Sequence, residues 1–362
     1  MDKFSGQTHP SGQEHSQEEL EKNFRRVRED ELMRNSRIVG AGFFVPARVV
    51  SNDDLSKMMD TSDEWIVERT GIKERRYVED GVGVSDLATE ASKKALAAAG
   101  LKPQDLDLIV LATLSPDYYF PGSGVLVQHK LGCRDIAAID VRAQCSGFIY
   151  SLSIADQFIK TGKYERVLVI GAEVQSCGLD FTTTGRDMTV LFGDGAGAVV
   201  LAACDEGRGV LSTHLHSHGE NFDKLWTYAP AACRVPRITR EMLEQGLQYP
   251  KMDGKFIFRL AIEKFCEVIN EALSANGCKL EDLDLLIPHQ ANLRIALMVG
   301  RKLGLPEEKL FNNIQKYGNT TAGSIPIALT EALEQKKIKD GSLVCLASFG
   351  SGLTWASALI RW

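Results

Sequence analysis

Residues 95–108 read ALAAAGLKPQDLDL and residues 272–285 read ALSANGCKLEDLDL, and the two align without a gap. Each carries the same punctuation: a helix end, a glycine stop, a short turn and the start of an apolar strand. A second echo follows at nearly the same offset, Lys130-Leu131-Gly132 against Lys302-Leu303-Gly304. A chain of 362 residues is too long for one small domain. Two fused copies of one α/β unit account for both the length and the echo.

From Ser36 the chain alternates β-like runs with helical stretches. RIVGAGFFVPARVV, DLDLIVLAT, RVLVIGAE and GAGAVVLAA read as strands, while SDLATEASKKALAAAG and GFIYSLSIADQFIKTG read as helices. Such alternation makes a layered α/β fold, and uninterrupted apolar strands make sheets covered on both faces. Residues 36–206 are expected to form the first half and 255–362 the second. Residues 207–254 read as an irregular insertion, with Pro230, Pro236 and Pro250, that covers a site. Residues 1–35 form a polar and charged extension, disordered or helical, whose other reading is a docking helix for a partner.

Composition narrows the class of partner. Apolar residues are 44% and charged residues 25%, ordinary for a globular protein. The net charge of −6 speaks against nucleic acid, whose phosphates call for a basic excess. Eight scattered cysteines without a CxxC pair suit a reducing, cytoplasmic setting. No apolar run reaches the roughly 18 residues of a membrane span, and no signal-peptide core is visible.

Three segments carry candidate chemistry. In the first, the strand-like AAIDV leads into Arg142-Ala143-Gln144-Cys145-Ser146-Gly147, with a helix directly after. A thiol at a helix N-terminus feels the positive end of the dipole, which lowers its pKa and favours the attacking thiolate. A buried structural cysteine is the alternative, preferred for the other seven. In the second, Leu286-Ile287-Pro288 delivers His289 to a strand's C-terminal end, where α/β folds gather their chemistry. An imidazole there handles protons near neutral pH, or it caps or fills the core. In the third, Asn319 stands in the small-residue turn YGNTTAG before a helix. Its amide donates to a developing oxyanion without changing charge, or it closes an Asx turn.

Together these segments resemble the thiolase-superfamily condensing enzymes, and within them β-ketoacyl-acyl carrier protein synthase III. The resemblance runs from about Ser36 to Trp362 and includes SDEWIVERTGI, FGDGAGA, PHQANLRI, YGNTTAGSIP and SFGSGLTWASALIRW. Degradative thiolases carry a second active cysteine in a Cys-x-Gly setting that is missing here. Elongating synthases carry a second histidine where Asn319 stands.

The resemblance implies a thiolase-like fold, two duplicated α/β halves in a five-layered α-β-α-β-α core. It implies a decarboxylating Claisen condensation with no cofactor and no metal. An acyl-CoA primer, acetyl-CoA or another short one, loads Cys145. Malonyl-acyl carrier protein then supplies the attacking carbon to give a 3-oxoacyl-acyl carrier protein, the initiating step of type II fatty acid synthesis. His289 and Asn319 hold the malonyl thioester oxygen. The backbone N–H groups of Cys145 and Ser351 form a second oxyanion hole, with Ser351 where relatives often carry glycine. Thr61, Trp65, Arg69, Arg186 and Asn292 are implied in CoA binding. Phe120 is implied in the partner's acyl pocket of a homodimer. Lys255, Arg259, Arg294, Arg301 and Lys302 form a candidate patch for an acidic carrier protein, or ordinary solvated helix faces.

Two motifs point elsewhere and are set aside. The glycine-rich GDGAGA precedes a strand, so it lacks the helix N-terminus that a dinucleotide loop needs, and it reads as close backbone packing. His214, His216 and His218 fall on one strand face, which could suit zinc, but no cysteine or carboxylate partner is placed to complete the shell, and the run reads as a structural strand end. Rival readings are a Cys-His-Asn synthase of a specialised pathway (quinolone, polyketide starter or biotin precursor) and a non-catalytic homologue, which the intact Cys145 argues against.

Overall fold

The computed structural model describes residues 34–204 and 207–362; apart from its last two residues, the extension 1–35 lies outside the described residues. The repeated stretch folds twice in the same way. In the first copy Gly100 takes φ 66°, the Asp105 carboxylate accepts the Lys102 N–H at 2.8 Å, and Asp107 accepts the Arg166 N–H at 2.9 Å. In the second, Gly277 takes φ 62°, Asp282 accepts the Lys279 N–H at 2.8 Å, and Asp284 accepts the Leu343 N–H at 2.8 Å. The shared Asp-Leu-Asp-Leu is therefore a structural fastener. Its first aspartate closes the turn, and its second pins the start of a strand that lies far away in sequence.

The first sheet holds β1 (Asn35–Phe44), β2 (Leu108–Ala112), β3 (Ala137–Val141), β4 (Arg166–Glu173) and β5 (Gly195–Cys204), in the order β1-β5-β4-β2-β3. The second holds β6 (Gly209–Ser217), β7 (Leu285–Pro288), β8 (Leu343–Gly350) and β9 (Thr354–Arg361), in the order β6-β9-β8-β7. In order and direction β1-β5-β4-β2 matches β6-β9-β8-β7. The place of β3 is taken in the second sheet by a single parallel bridge between Leu286 and Leu310.

Seven main helices complete the layers: α1 (Asp63–Thr70), α2 (Val84–Ala99), α3 (Ser123–Leu131), α4 (Gly147–Lys160), α5 (Gly254–Ala275), α6 (Leu293–Leu303) and α7 (Ser324–Glu334). Apolar residues of α2 and α3 cover the outer face of the first sheet, and those of α5 and α6 cover the outer face of the second. Between the sheets lie α4 and α7, packed through Phe148, Leu152, Ile325 and Leu329 against strands of both. The result is the expected α-β-α-β-α stack. No helix among the described residues is long and apolar enough to cross a membrane.

The stretch 207–254 begins differently from the insertion expected there, because Gly209–Ser217 is strand β6 at the edge of the second sheet. Its alternating polar residues look irregular in sequence because only one face of an edge strand is well covered. Two of its histidines, His214 and His216, reach Glu271 on α5 at 3.3 and 2.7 Å. A carboxylate does stand beside them; it comes from a distant helix that spacing along the strand could not reveal. The irregular covering segment starts only after Ser217.

On β1, Gly42 packs against α2 so closely that an added Cβ would lie 2.5 Å from the Ala95 backbone nitrogen and 2.7 Å from the Ala91 carbonyl oxygen. Gly42→Ala is expected to cost about 1–3 kcal/mol through overpacking. A thermal midpoint equal to that of the parent would show that the two elements separate freely.

Candidate active site

Cys145 sits on the turn that joins β3 to α4. Residues Gln144–Ser146 make one 3-10 turn, and Gln144 adopts φ 41°. The second half repeats this device before α7: Thr321–Gly323 make a 3-10 turn, and Thr321 adopts φ 48°. Left-handed backbone is costly for a residue with a Cβ and needs surroundings that enforce it. In this correspondence Ala322 stands where Cys145 stands.

The thiol is buried, and the N–H groups of Cys145 and Ser351 both lie within its reach. Ser351 is not among the left-handed residues, so it carries its side chain without strain, and its hydroxyl donates to the Leu225 carbonyl at 2.5 Å. Just before it, Gly350 makes room for the sulfur, since a Cβ there would lie 2.7 Å from Sγ. Burial pushes the thiol up to about 12, and the charge of Glu173 adds to the effect. The sequence suggested a thiol eased downwards by the helix N-terminus. Desolvation is the larger influence, and only the folded chain reveals it.

His289 follows β7 directly, and its N–H donates to the Ala347 carbonyl at 2.8 Å. Its Nδ1 lies 2.6 Å from Ser324 Oγ, at the start of α7. That oxygen also accepts the Gln290 N–H at 3.4 Å. Where the hydroxyl hydrogen points to Nδ1, the ring proton sits on Nε2. Nε2 is buried without a protein partner. Burial lowers His289 to about 3, so the ring is neutral at ordinary pH.

Asn319 is held through its backbone, donating to Leu191 at 2.8 Å and accepting from Gly193 at 3.1 Å. Its Oδ1 accepts the Thr321 N–H at 2.9 Å. The Asx turn thus orients the amide by engaging its oxygen. The glycine-rich segment supports the same arm, since a Cβ on Gly197 would lie 2.7 Å from the Ile327 nitrogen. Cys145, His289, Asn319 and Gly350 line one cavity of about 110 Å³.

That cavity shares Leu191, Met252, Phe258 and Asn292 with a cleft of about 740 Å³ that opens past Trp65 and Arg69. Two guanidinium groups approach the Trp65 ring, Arg69 at 4.4 Å and Arg186 at 4.6 Å from its centroid. The Asn292 amide is engaged within the protein, accepting from the Arg294 N–H at 2.9 Å and donating to the Arg69 carbonyl at 3.0 Å. Thr61 Oγ1 is buried without a partner and faces neither space. Lys255 and Arg294 line the cleft, and exposed Arg259 follows Lys255 by one turn of α5. Arg301 and Lys302 lie about 10–12 Å further along α6 and are separated from this mouth by the helix rise.

Beyond Cys145 a third space of about 410 Å³ is lined by Leu114, Gln175, Trp226, Pro230 and Gln248. The irregular segment after β6 thus covers the sulfur's far side. Phe120 is 79% exposed and does not line this space in its own chain.

Three residues were not singled out in the sequence: Ser324, Gly350 and Glu173. All three lie inside quoted segments, but their partners are distant in the chain, so no local signal could mark them.

A five-layered duplicated fold with a thiol, a neutral imidazole and an amide converging at its centre defines a condensing enzyme of the thiolase type. Family models described as 3-oxoacyl-[acyl-carrier-protein (ACP)] synthase III and its C-terminal part match residues 139–219 and 273–362. The β-ketoacyl-[acyl-carrier-protein] synthase III of Caldanaerobacter subterraneus is 46% identical over 325 residues, 90% of this chain and 97% of the relative. The solved 3-oxoacyl-[acyl-carrier-protein] synthase III of Aquifex aeolicus is 45% identical with a TM-score of 0.83, covering 90% of this chain and 100% of that one. The priming β-ketosynthase of the R1128 polyketide pathway is 32% identical with a TM-score of 0.82, covering 91% and 96%. The chain belongs to the β-ketoacyl-acyl carrier protein synthase III family.

Gly350→Ala is expected to displace the sulfur and slow the alkylation of Cys145 roughly a hundredfold, the effect of a misplacement near 1 Å. Peptide mass analysis after iodoacetamide treatment measures this. Unchanged alkylation at Cys145 would show that the glycine is not needed for space.

Proposed function

We propose that the enzyme condenses an acyl-CoA primer with malonyl-acyl carrier protein, through an acyl-Cys145 intermediate, to begin type II fatty acid synthesis. One observation carries the reading: the sulfur, within reach of two backbone N–H groups, shares a cavity with the unpartnered His289 Nε2 and with Asn319.

The acyl-CoA enters the cleft with its adenine toward Trp65, Arg69 and Arg186 and its pantetheine arm past Asn292, while Thr61, implied in CoA binding by the resemblance, lies outside the cleft lining. Cys145 attacks the thioester carbon while the N–H groups of Cys145 and Ser351 hold the oxyanion. The acyl group stays on sulfur, and the thiol proton leaves on CoA. The malonyl thioester then places its oxygen between His289 Nε2–H and Asn319 Nδ2–H. Carbon dioxide departs, and the enolate carbon attacks the acyl-Cys145 carbonyl. Cys145 leaves and takes up a proton. Both donors stay neutral throughout, so they stabilise charge without having to transfer a proton.

Several surfaces fit this reading. Lys255, Arg259 and Arg294 at the mouth suit an acidic carrier protein. The exposed Tyr118-Tyr119-Phe120 tip suits a homodimer in which Phe120 reaches the partner's acyl space. Cys133, Cys145, Cys177, Cys233, Cys266, Cys278 and Cys345 are free thiols, as a reducing cytoplasm allows. The space of about 410 Å³ beyond Cys145 exceeds what an acetyl group needs and favours, as a second reading, a longer or specialised donor. A series of acyl-CoAs with intact mass detection separates the two.

Cys145→Ala is expected to lose acylation by every donor yet retain malonyl decarboxylation. Asn319→Ala is expected to acylate while decarboxylating about a hundredfold more slowly, the usual loss for one oxyanion donor. An Asn319→Ala variant with the parental decarboxylation rate, or an acyl adduct that survives Cys145→Ala, would sink the assignment.

Because His289 is lowered to about 3, it stays neutral from pH 5 to pH 8. Decarboxylation by the Cys145→Ala variant is therefore expected to be flat over that range. A fall toward pH 5 would mean that the ring takes up a proton there.

A further inference from the structure

Glu173, the last residue of β4, plays no part in the mechanism above, yet it is fully buried beside the nucleophile. Its carboxylate accepts from Ser115 Oγ at 2.7 Å, from Thr113 Oγ1 at 3.2 Å and from the Leu114 N–H at 3.2 Å. It also accepts from the Ala322 N–H. Among the described residues no cation pairs with it. Leu114 and Ser115 line the same space as Cys145.

The duplication gives this placement a meaning. Strands β4 and β8 correspond residue by residue from Arg166 and Leu343, so Glu173 corresponds to Gly350. In the second half's copy of the turn, an N–H that would serve an oxyanion belongs to Ala322, and Glu173 occupies it. In the working copy, Gly350 leaves that room to Cys145 Sγ.

Resting on the reading of Cys145 as the nucleophile, we propose that Glu173 is a positioning residue whose negative charge holds the resting thiol protonated, so that its own ionisation shapes the pH dependence of Cys145. Burial pushes the Glu173 carboxyl up to about 7. Below that pH it is neutral and leaves the thiol alone. Above it, its charge opposes the thiolate.

Among the ionisable groups near the sulfur, Glu173 alone acts on it by charge. His289, after β7, is neutral. Arg142, before the turn, is always cationic. The Cys177 thiol, after β4, is raised by burial. Asp194, which accepts from the Gln175 and Ser176 N–H groups, bears on Cys177 and not on Cys145.

The test is the rate of Cys145 alkylation by iodoacetamide in the full chain, read by peptide mass from pH 5.5 to pH 8.5. A thiol far below its pKa gains tenfold in thiolate per pH unit. In the parent that rise is expected to slacken around pH 7 and then resume. Glu173→Gln is expected to restore the unbroken rise, match the parent below pH 6 and react about threefold faster or more above pH 8. Glu173→Asp keeps the charge and is expected to keep the slackening.

A straight tenfold rise in the parent overturns the proposal even if Glu173→Gln does not fold, and so do parallel profiles of parent and Glu173→Gln. The outcome is independent of acyl transfer. A slackened profile in a chain that no acyl-CoA acylates would overturn the proposed function and leave this inference standing.

Discussion

Two helices buried between two sheets, with their N-terminal turns brought together, are the constraint on which this molecule depends. A helix in that layer has no solvent face, so α4 and α7 must be apolar nearly all round. Their first turns are then the places where unpaired N–H groups meet the ends of the strands. Both turns take the same left-handed step, at Gln144 and at Thr321. A cysteine on one turn and an asparagine before the other become neighbours because each half repeats the same path.

Burial also sets the chemistry. It leaves His289 neutral and Cys145 a thiol, so the resting centre carries little charge apart from Glu173. Hydrogen bonds in such surroundings are stronger than in water and need no rearrangement when charge develops on a substrate. Ser324 and the Thr321 N–H matter for this reason. One holds His289 Nδ1, and the other engages the Asn319 side-chain oxygen.

Much of this was legible in the sequence where the signal was local. The paired Asp-Leu-Asp-Leu segments revealed the duplication because the same short-range bonds close both turns. Cys145, His289 and Asn319 were visible because each ends a strand or opens a helix within a distinctive segment. Strand β6 showed in the sequence only at its histidine run, and its polar alternation hid the rest. The pairing of His214 and His216 with Glu271 and the space that Gly350 leaves for Cys145 are products of long-range packing. Desolvation belongs to the same group: a helix start can be read along a chain, but burial depends on what lies above it.

Glycine at 350 and glutamate at 173 also bear on how such a molecule can be assembled. A pair of first halves would put a glutamate side chain where the sulfur must lie. A pair of second halves would set alanine against glycine, with ample room and nothing to react. Only the unlike pair offers both a thiol and a vacancy to hold it. The two repeats are therefore bound to each other as complementary parts, and neither can be exchanged for a copy of its twin.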